Sequence, residues 1–152
     1  MVEWGGMEWT IEQEEDLEKV VDFVCQNIFT KQIPGARVIG LYGNLGAGKT
    51  TFTKKLALAL GGTDSVVSPT FILERDYNLS NKLSIETLAH IDAYRFDDEK
   101  EGEVLKIASR LKDPKLLYVI EWQENLGELM PPHIKIFFEH TGGDTRKVKI
   151  VE

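Results

Sequence analysis

A chain of 152 residues, 42% apolar and 28% charged, has room for one globular core and not for two, so residues 1–152 read as a single domain. A formal net charge of −7 argues against a broad nucleic-acid-binding face, which needs clustered Lys and Arg. One cysteine excludes an internal disulfide, and no apolar run approaches the ~18 residues of a membrane span. The start, Met1 to Gly6, lacks the basic and apolar regions of a secretory signal, and either Met1 or Met7 could be the first residue. A cytoplasmic protein with no membrane role is expected.

Residues 12–29 carry Leu17, Val20, Val21, Val24 and Ile28 at helical spacing. Glu12, Glu14, Glu15 and Asp16 stand near its start, where the helix dipole favours carboxylates, and read as a solvated first turn. Cys25 lies beside Val21, Val24 and Ile28, which predicts a structural thiol rather than a reactive one. Pro34-Gly35 turns the chain into a short apolar run at 37–42, the pattern of a buried strand. Phe52, Leu56, Ala59 and Leu60 then predict a helix stopped by Gly61-Gly62. Residues 70–77 and 84–95 read as extended, joined by a polar loop in a plausible hairpin. A helix is expected over 96–111, a central strand over 116–122, and a further strand over 134–139 after Pro131-Pro132. Gly142-Gly143-Asp144 turns into 148–151, where Lys147 and Lys149 alternate with Val148 and Ile150 in an edge-like pattern. The expected fold is α/β: a P-loop NTPase-like three-layer α/β/α sandwich around a mixed sheet, parallel in the middle and antiparallel toward its edges.

Between the strand at 37–42 and the helix after it stands Gly43-Asn44-Leu45-Gly46-Ala47-Gly48-Lys49-Thr50-Thr51. Gly43-x-x-x-x-Gly48-Lys49-Thr50 is the phosphate-binding P-loop pattern, in the strand–loop–helix context the pattern requires. A loop of small residues lets successive backbone N–H groups turn around an anion, and the helix start adds the positive end of its dipole. Asn44, Leu45, Gly46, Ala47, Gly48, Lys49, Thr50 and Thr51 are therefore expected to hold the phosphates of a nucleotide. Lys49, expected as a solvated loop lysine, reaches the β- and γ-phosphates, and the Thr50 hydroxyl ligates Mg²⁺.

Hydrolysis also needs the metal held from a second side and a positioned water. Residues 116–121 form an apolar strand ending in Glu121, and a carboxylate at the end of a buried strand is costly unless a metal or a partner compensates it. Asp92 follows another strand, in His90-Ile91-Asp92-Ala93-Tyr94-Arg95. Either acid could contact the metal through water, with the other orienting the attacking water. Ser68-Pro69-Thr70 lies in the region where nucleotide switches place a γ-phosphate-sensing hydroxyl, and a plain turn competes with that reading. His90, His133 and His140 show no ligand spacing, so no zinc site is assigned.

"GNLGAGKTTFTKKLALALG", "SPTFIL", "HIDAYR" and "VIEWQEN", in this order, resemble the TsaE (YjeE) family over about residues 9–150. That resemblance implies a small bacterial ATPase required for the threonylcarbamoyladenosine (t6A) modification of tRNA. By it, Lys49 and Thr50 bind phosphate and Mg²⁺, Thr70 belongs to a switch-like loop, Asp92 and Glu121 are the acidic pair, and Trp122 sits beside the nucleotide. ATP, with ADP as product, and Mg²⁺ are the implied ligands. TsaB and TsaD are the implied partners and carry the modifying chemistry, so tRNA is met only indirectly through the complex. Hydrolysis is expected to be slow alone and partner-dependent. Family members often carry a threonine followed by Leu-Gly in the first helix, near the adenine; residues 15–20 have neither, and no adenine-binding residue is carried over.

Three rivals differ in class. A small P-loop kinase would need an Arg-bearing lid, and Arg75, Arg95 and Arg110 are scattered. A GTPase switch reads guanine through a late Asn-Lys-x-Asp motif, whereas Asn81-Lys82-Leu83-Ser84 lacks the aspartate and falls too early. A module that only holds nucleotide would show no turnover with or without partners.

Overall fold

The apolar runs at 37–42 and 116–121 become neighbouring strands near the middle of a seven-stranded sheet in the computed structural model, which describes residues 6–27, 33–44, 46, 48–62, 74–80, 84–93, 107–121 and 134–151. The strands are β1 (Met7–Ile11), β2 (Arg37–Tyr42), β3 (Glu74–Asn78), β4 (Thr87–Asp92), β5 (Leu116–Glu121), β6 (Ile134–Gly142) and β7 (Thr145–Val151). The helices are α1 (Leu17–Asn27), led in by a 3-10 turn at Glu14–Asp16, and α2 (Lys49–Ala59). The sheet order is β1-β7-β6-β2-β5-β4-β3. β6, β2, β5 and β4 run parallel, while β3, β7 and β1 are added antiparallel at the two sides.

This is the expected α/β fold with a mixed sheet, and the reason is visible strand by strand. A parallel strand covered on both faces needs a continuous apolar run. β5 is buried throughout, and β2 everywhere but Tyr42. On one face Ile39, Leu41, Leu88, Leu117 and Val119 share a core with Val20 and Val24 of α1 and with Phe52 and Leu56 of α2. On the other, Val38, Ala89, Ile91, Tyr118 and Ile120 pack with Ile107 of a helical stretch at 107–110. That stretch is fixed by Arg110, which donates to both Asp76 oxygens at 3.0 and 2.9 Å and also to Glu74 of β3. The remainder of the helix expected over 96–111 lies outside the described residues.

One expectation is corrected at the sheet's far side. The Lys147/Lys149 alternation predicted an edge strand, yet β7 lies between β6 and β1. Alternation reports that one face is solvated, and β7 buries Val148 and Ile150 while pairing on both sides. The edge is β1, a five-residue strand whose Trp9 packs edge-on against Phe23 of α1, ring centroids 5.1 Å apart. Its pattern is too short to stand out in sequence.

The acidic segment also resolves. Gln13 is extended, and the Asp16 carboxylate accepts the backbone N–H groups of Glu12 and Gln13 at 3.0 and 3.2 Å. Those two bonds hold Asp16 below the usual carboxylate range and cap the entry to α1. Cys25 is half-buried, and burial, with Asp22 nearby, pushes its thiol up to about 11, which matches a thiol with little nucleophilic character. Among the described residues no helix is long and apolar enough to cross a membrane.

Candidate functional site

β5 and β6 follow one another in the chain but lie on opposite sides of β2. The strand order reverses there, and in open α/β sheets the ligand crevice opens at the carboxyl ends of the strands at such a point. The loop between β2 and α2 occupies that crevice. Gly43 has φ 144°, and a Cβ on it would stand 2.6 Å from the Phe138 carbonyl oxygen of β6, so a side chain is blocked by conformation and by space. Gly48 caps α2 at φ 108° and offers no side-chain bond to the first turn, which leaves the amides at the helix start open to an anion. Below the loop, Phe138 packs edge-on against Phe52, centroids 5.9 Å apart.

Lys49 opens α2 and is 4% exposed, so it is not the solvated loop lysine expected from sequence. Its Nζ donates to the Gly43 carbonyl at 2.6 Å, which turns the ammonium back into the loop. Thr50 points the other way, toward β5: its hydroxyl donates to Glu121 Oε1 at 3.1 Å, with Oε2 at 3.4 Å. Thr50 and one of the two acids expected near the metal thus meet across 71 residues of sequence. Glu121 is 5% exposed, and its Oε2 lies 2.6 Å from Nε2 of the fully buried His90. Asp92 is the register partner of Glu121 on the adjacent parallel strand, so the two acids end neighbouring strands on one face, about 4.8 Å apart at the backbone. Asn44 and Gly46 are exposed, and Thr51 is half-buried on the first turn of α2. Leu45, Ala47, Thr70 and Trp122 lie outside the described residues.

Two side chains at this place were missed in sequence. Arg146, at the start of β7, donates through Nη2 to the Gly46 carbonyl at 3.0 Å and so brings a guanidinium to the loop. It follows a glycine turn a hundred residues away, and nothing local marks it. His90 was weighed only as a zinc ligand. The signal available was its spacing: His90-x-Asp92 on a strand puts both on one face, the face that also carries Glu121.

The donors gathered here are a hydroxyl and carboxylates, hard oxygens that suit Mg²⁺ rather than softer metals. Beside them stand an open helix start and two cations, a set of groups able to bind a polyphosphate.

The sequence model of one protein family, described as threonylcarbamoyl adenosine biosynthesis protein TsaE, matches residues 11–148. The chain belongs to the TsaE family. Among TsaE relatives, it is 37% identical over 112 residues to the tRNA threonylcarbamoyladenosine biosynthesis protein TsaE of Bacillus subtilis, over 73% of this chain and 66% of that protein. With the protein of the same name from Haemophilus influenzae it shares 34% over 96 residues, 63% of this chain and 58% of that one. The chain therefore spans less than two thirds of either relative. The Aquifex aeolicus TsaE matches more fully, 34% identical over 142 residues and 92% of each chain. In fold the chain is similar to the crystal structure of Bacillus subtilis YdiB, with a TM-score of 0.69 at 24% identity over 95% of this chain and 84% of that one.

Proposed function

We propose that this TsaE chain is a Mg²⁺-dependent ATPase that serves threonylcarbamoyladenosine modification of tRNA, and that it acts with TsaB and TsaD without itself transferring the threonylcarbamoyl group. The observation that carries the reading is the convergence of Thr50 on the loop helix with Glu121 on the neighbouring strand at 3.1 Å. The pathway rests on family membership and on the names of the Bacillus, Haemophilus and Aquifex relatives.

Each side chain then has a task. The amides at the start of α2 and the Lys49 ammonium bind the phosphate chain. Thr50 and Glu121 would hold Mg²⁺, which would supply positive charge against the phosphate oxygens. Asp92, the register partner of Glu121 on the adjacent strand, would orient a water beside that pair. Arg146 steadies the loop through Gly46. Leu45 and Ala47 keep the phosphate-side roles that the P-loop pattern gives them, and Thr70 and Trp122 those that the family resemblance implies.

Fast phosphoryl transfer usually draws on an arginine at the γ-phosphate, worth about 10³–10⁵ in rate. Arg146 donates through Nη2 to the Gly46 carbonyl, which holds it at the loop, so the chain alone is expected to turn over slowly and a partner to supply the missing charge or order. Steady-state ATP hydrolysis by the chain, by TsaB with TsaD, and by the three together tests this. The expected result is strong stimulation only in the three-component mixture. Brisk turnover by the chain alone, unchanged by the pair, would contradict it and favour a self-sufficient ATPase using Arg146 in cis.

A further inference from the structure

We infer that His90 is the positioning residue of the metal site: its Nε2–H bond fixes the Glu121 carboxylate so that the other oxygen faces Thr50. This rests on the reading of Thr50 and Glu121 as the metal pair and adds a residue to it. Glu121 accepts two bonds from fixed points, His90 on β4 at 2.6 Å and Thr50 on α2 at 3.1 Å. A glutamate has three side-chain torsions, and two anchors from different elements select one arrangement out of many. An ionised carboxylate can only accept, so Nε2 carries the hydrogen of the shorter bond.

The other ring nitrogen shows that packing alone does not explain this histidine. His90 is 0% exposed, and its Nδ1 has no hydrogen-bond partner among the described residues. A buried polar atom without a partner destabilises the fold. Before the two acids at the strand ends, the same face of β4 and β5 is lined by Leu88, Leu117 and Val119, so an apolar residue at 90 would pack there with no such cost. What an apolar residue cannot do is donate to Glu121. Side chains that hold a metal-binding carboxylate in place typically carry 10- to 100-fold in metal affinity.

The test is a Mg²⁺ titration of the ADP-loaded chain by calorimetry, with ADP affinity in metal-free buffer measured alongside. His90→Leu is expected to raise the Mg²⁺ concentration at half-saturation about 10- to 100-fold while leaving metal-free ADP affinity unchanged. His90→Gln, whose amide nitrogen reaches nearly the position of Nε2, is expected to restore most of the loss. His90→Phe keeps a ring of similar size and carries the same expectation as His90→Leu should the leucine chain fail to fold. An unshifted Mg²⁺ midpoint in the folded apolar variants, or equal midpoints for His90→Leu and His90→Gln, overturns the inference and leaves the metal pair standing. A native chain whose ADP complex takes up no Mg²⁺ overturns both.

Discussion

Replacing Lys49 by alanine is expected to weaken ADP and ATP binding on the order of 10²-fold or more. Hydrogen bonds to charged groups contribute about 1.5–3 kcal/mol each, and the loss of two phosphate contacts reaches that factor. Because Lys49 is buried, alanine also removes a packed aliphatic stem and leaves the Gly43 carbonyl without its 2.6 Å donor. Lys49→Met separates these effects, since it keeps the stem and deletes the ammonium. It should lose nucleotide affinity as severely as alanine, while its melting temperature falls by only about 2–4 °C, the equivalent of roughly 1 kcal/mol in a chain of this size. Calorimetric binding together with a thermal melt checks both. Near-native affinity in Lys49→Met would remove this lysine from the phosphate site.

Glu121→Gln should lower ATP hydrolysis by the partner-stimulated chain by about 10²–10³, the several kcal/mol that a bound metal gives a phosphoryl-transfer transition state. Glutamine preserves the shape and can still meet both the Thr50 hydroxyl and His90, so the substitution removes charge and little else. Two roles for Glu121 are separable in the same variant. Loss of a metal-holding group raises the Mg²⁺ concentration needed for half-maximal rate, whereas loss of a group that only orients water lowers the rate at every Mg²⁺ concentration. The 3.1 Å bond to Thr50 predicts the first pattern for Glu121 and the second for Asp92→Asn. An Asp92→Asn chain with a shifted Mg²⁺ midpoint, beside an unshifted Glu121→Gln, would exchange the two assignments.

What could be read from sequence was whatever is encoded locally. β2, the loop and α2 are contiguous, and each part carries its own signal: an apolar run, glycines at forced positions, and a helical period. Glu121 and Asp92 were legible because each ends an apolar strand, and a carboxylate in that position demands compensation. Their adjacency was not, since it depends on β4 and β5 being paired in the register that sets Asp92 beside Glu121. Arg146 escaped for the same reason: its place at the loop is set by the antiparallel pairing of β6 with β7. Lys49 was taken as solvated because the bond that turns its ammonium back to the Gly43 carbonyl is something no spacing reports. The β7 error came from treating a one-sided polar pattern as an unpaired edge, when pairing and face exposure are independent properties of a strand.

The claim that this site binds a Mg²⁺–adenine nucleotide is tested most directly by calorimetric titration of the chain with ADP, ATP and GTP, each with Mg²⁺ and in metal-free buffer. The site predicts one nucleotide per chain, tighter binding when Mg²⁺ is present, and ADP and ATP favoured over GTP by about tenfold or more, since no guanine-reading motif is in the sequence. No binding heat for any nucleotide, or equal affinity for GTP with no dependence on Mg²⁺, would contradict it.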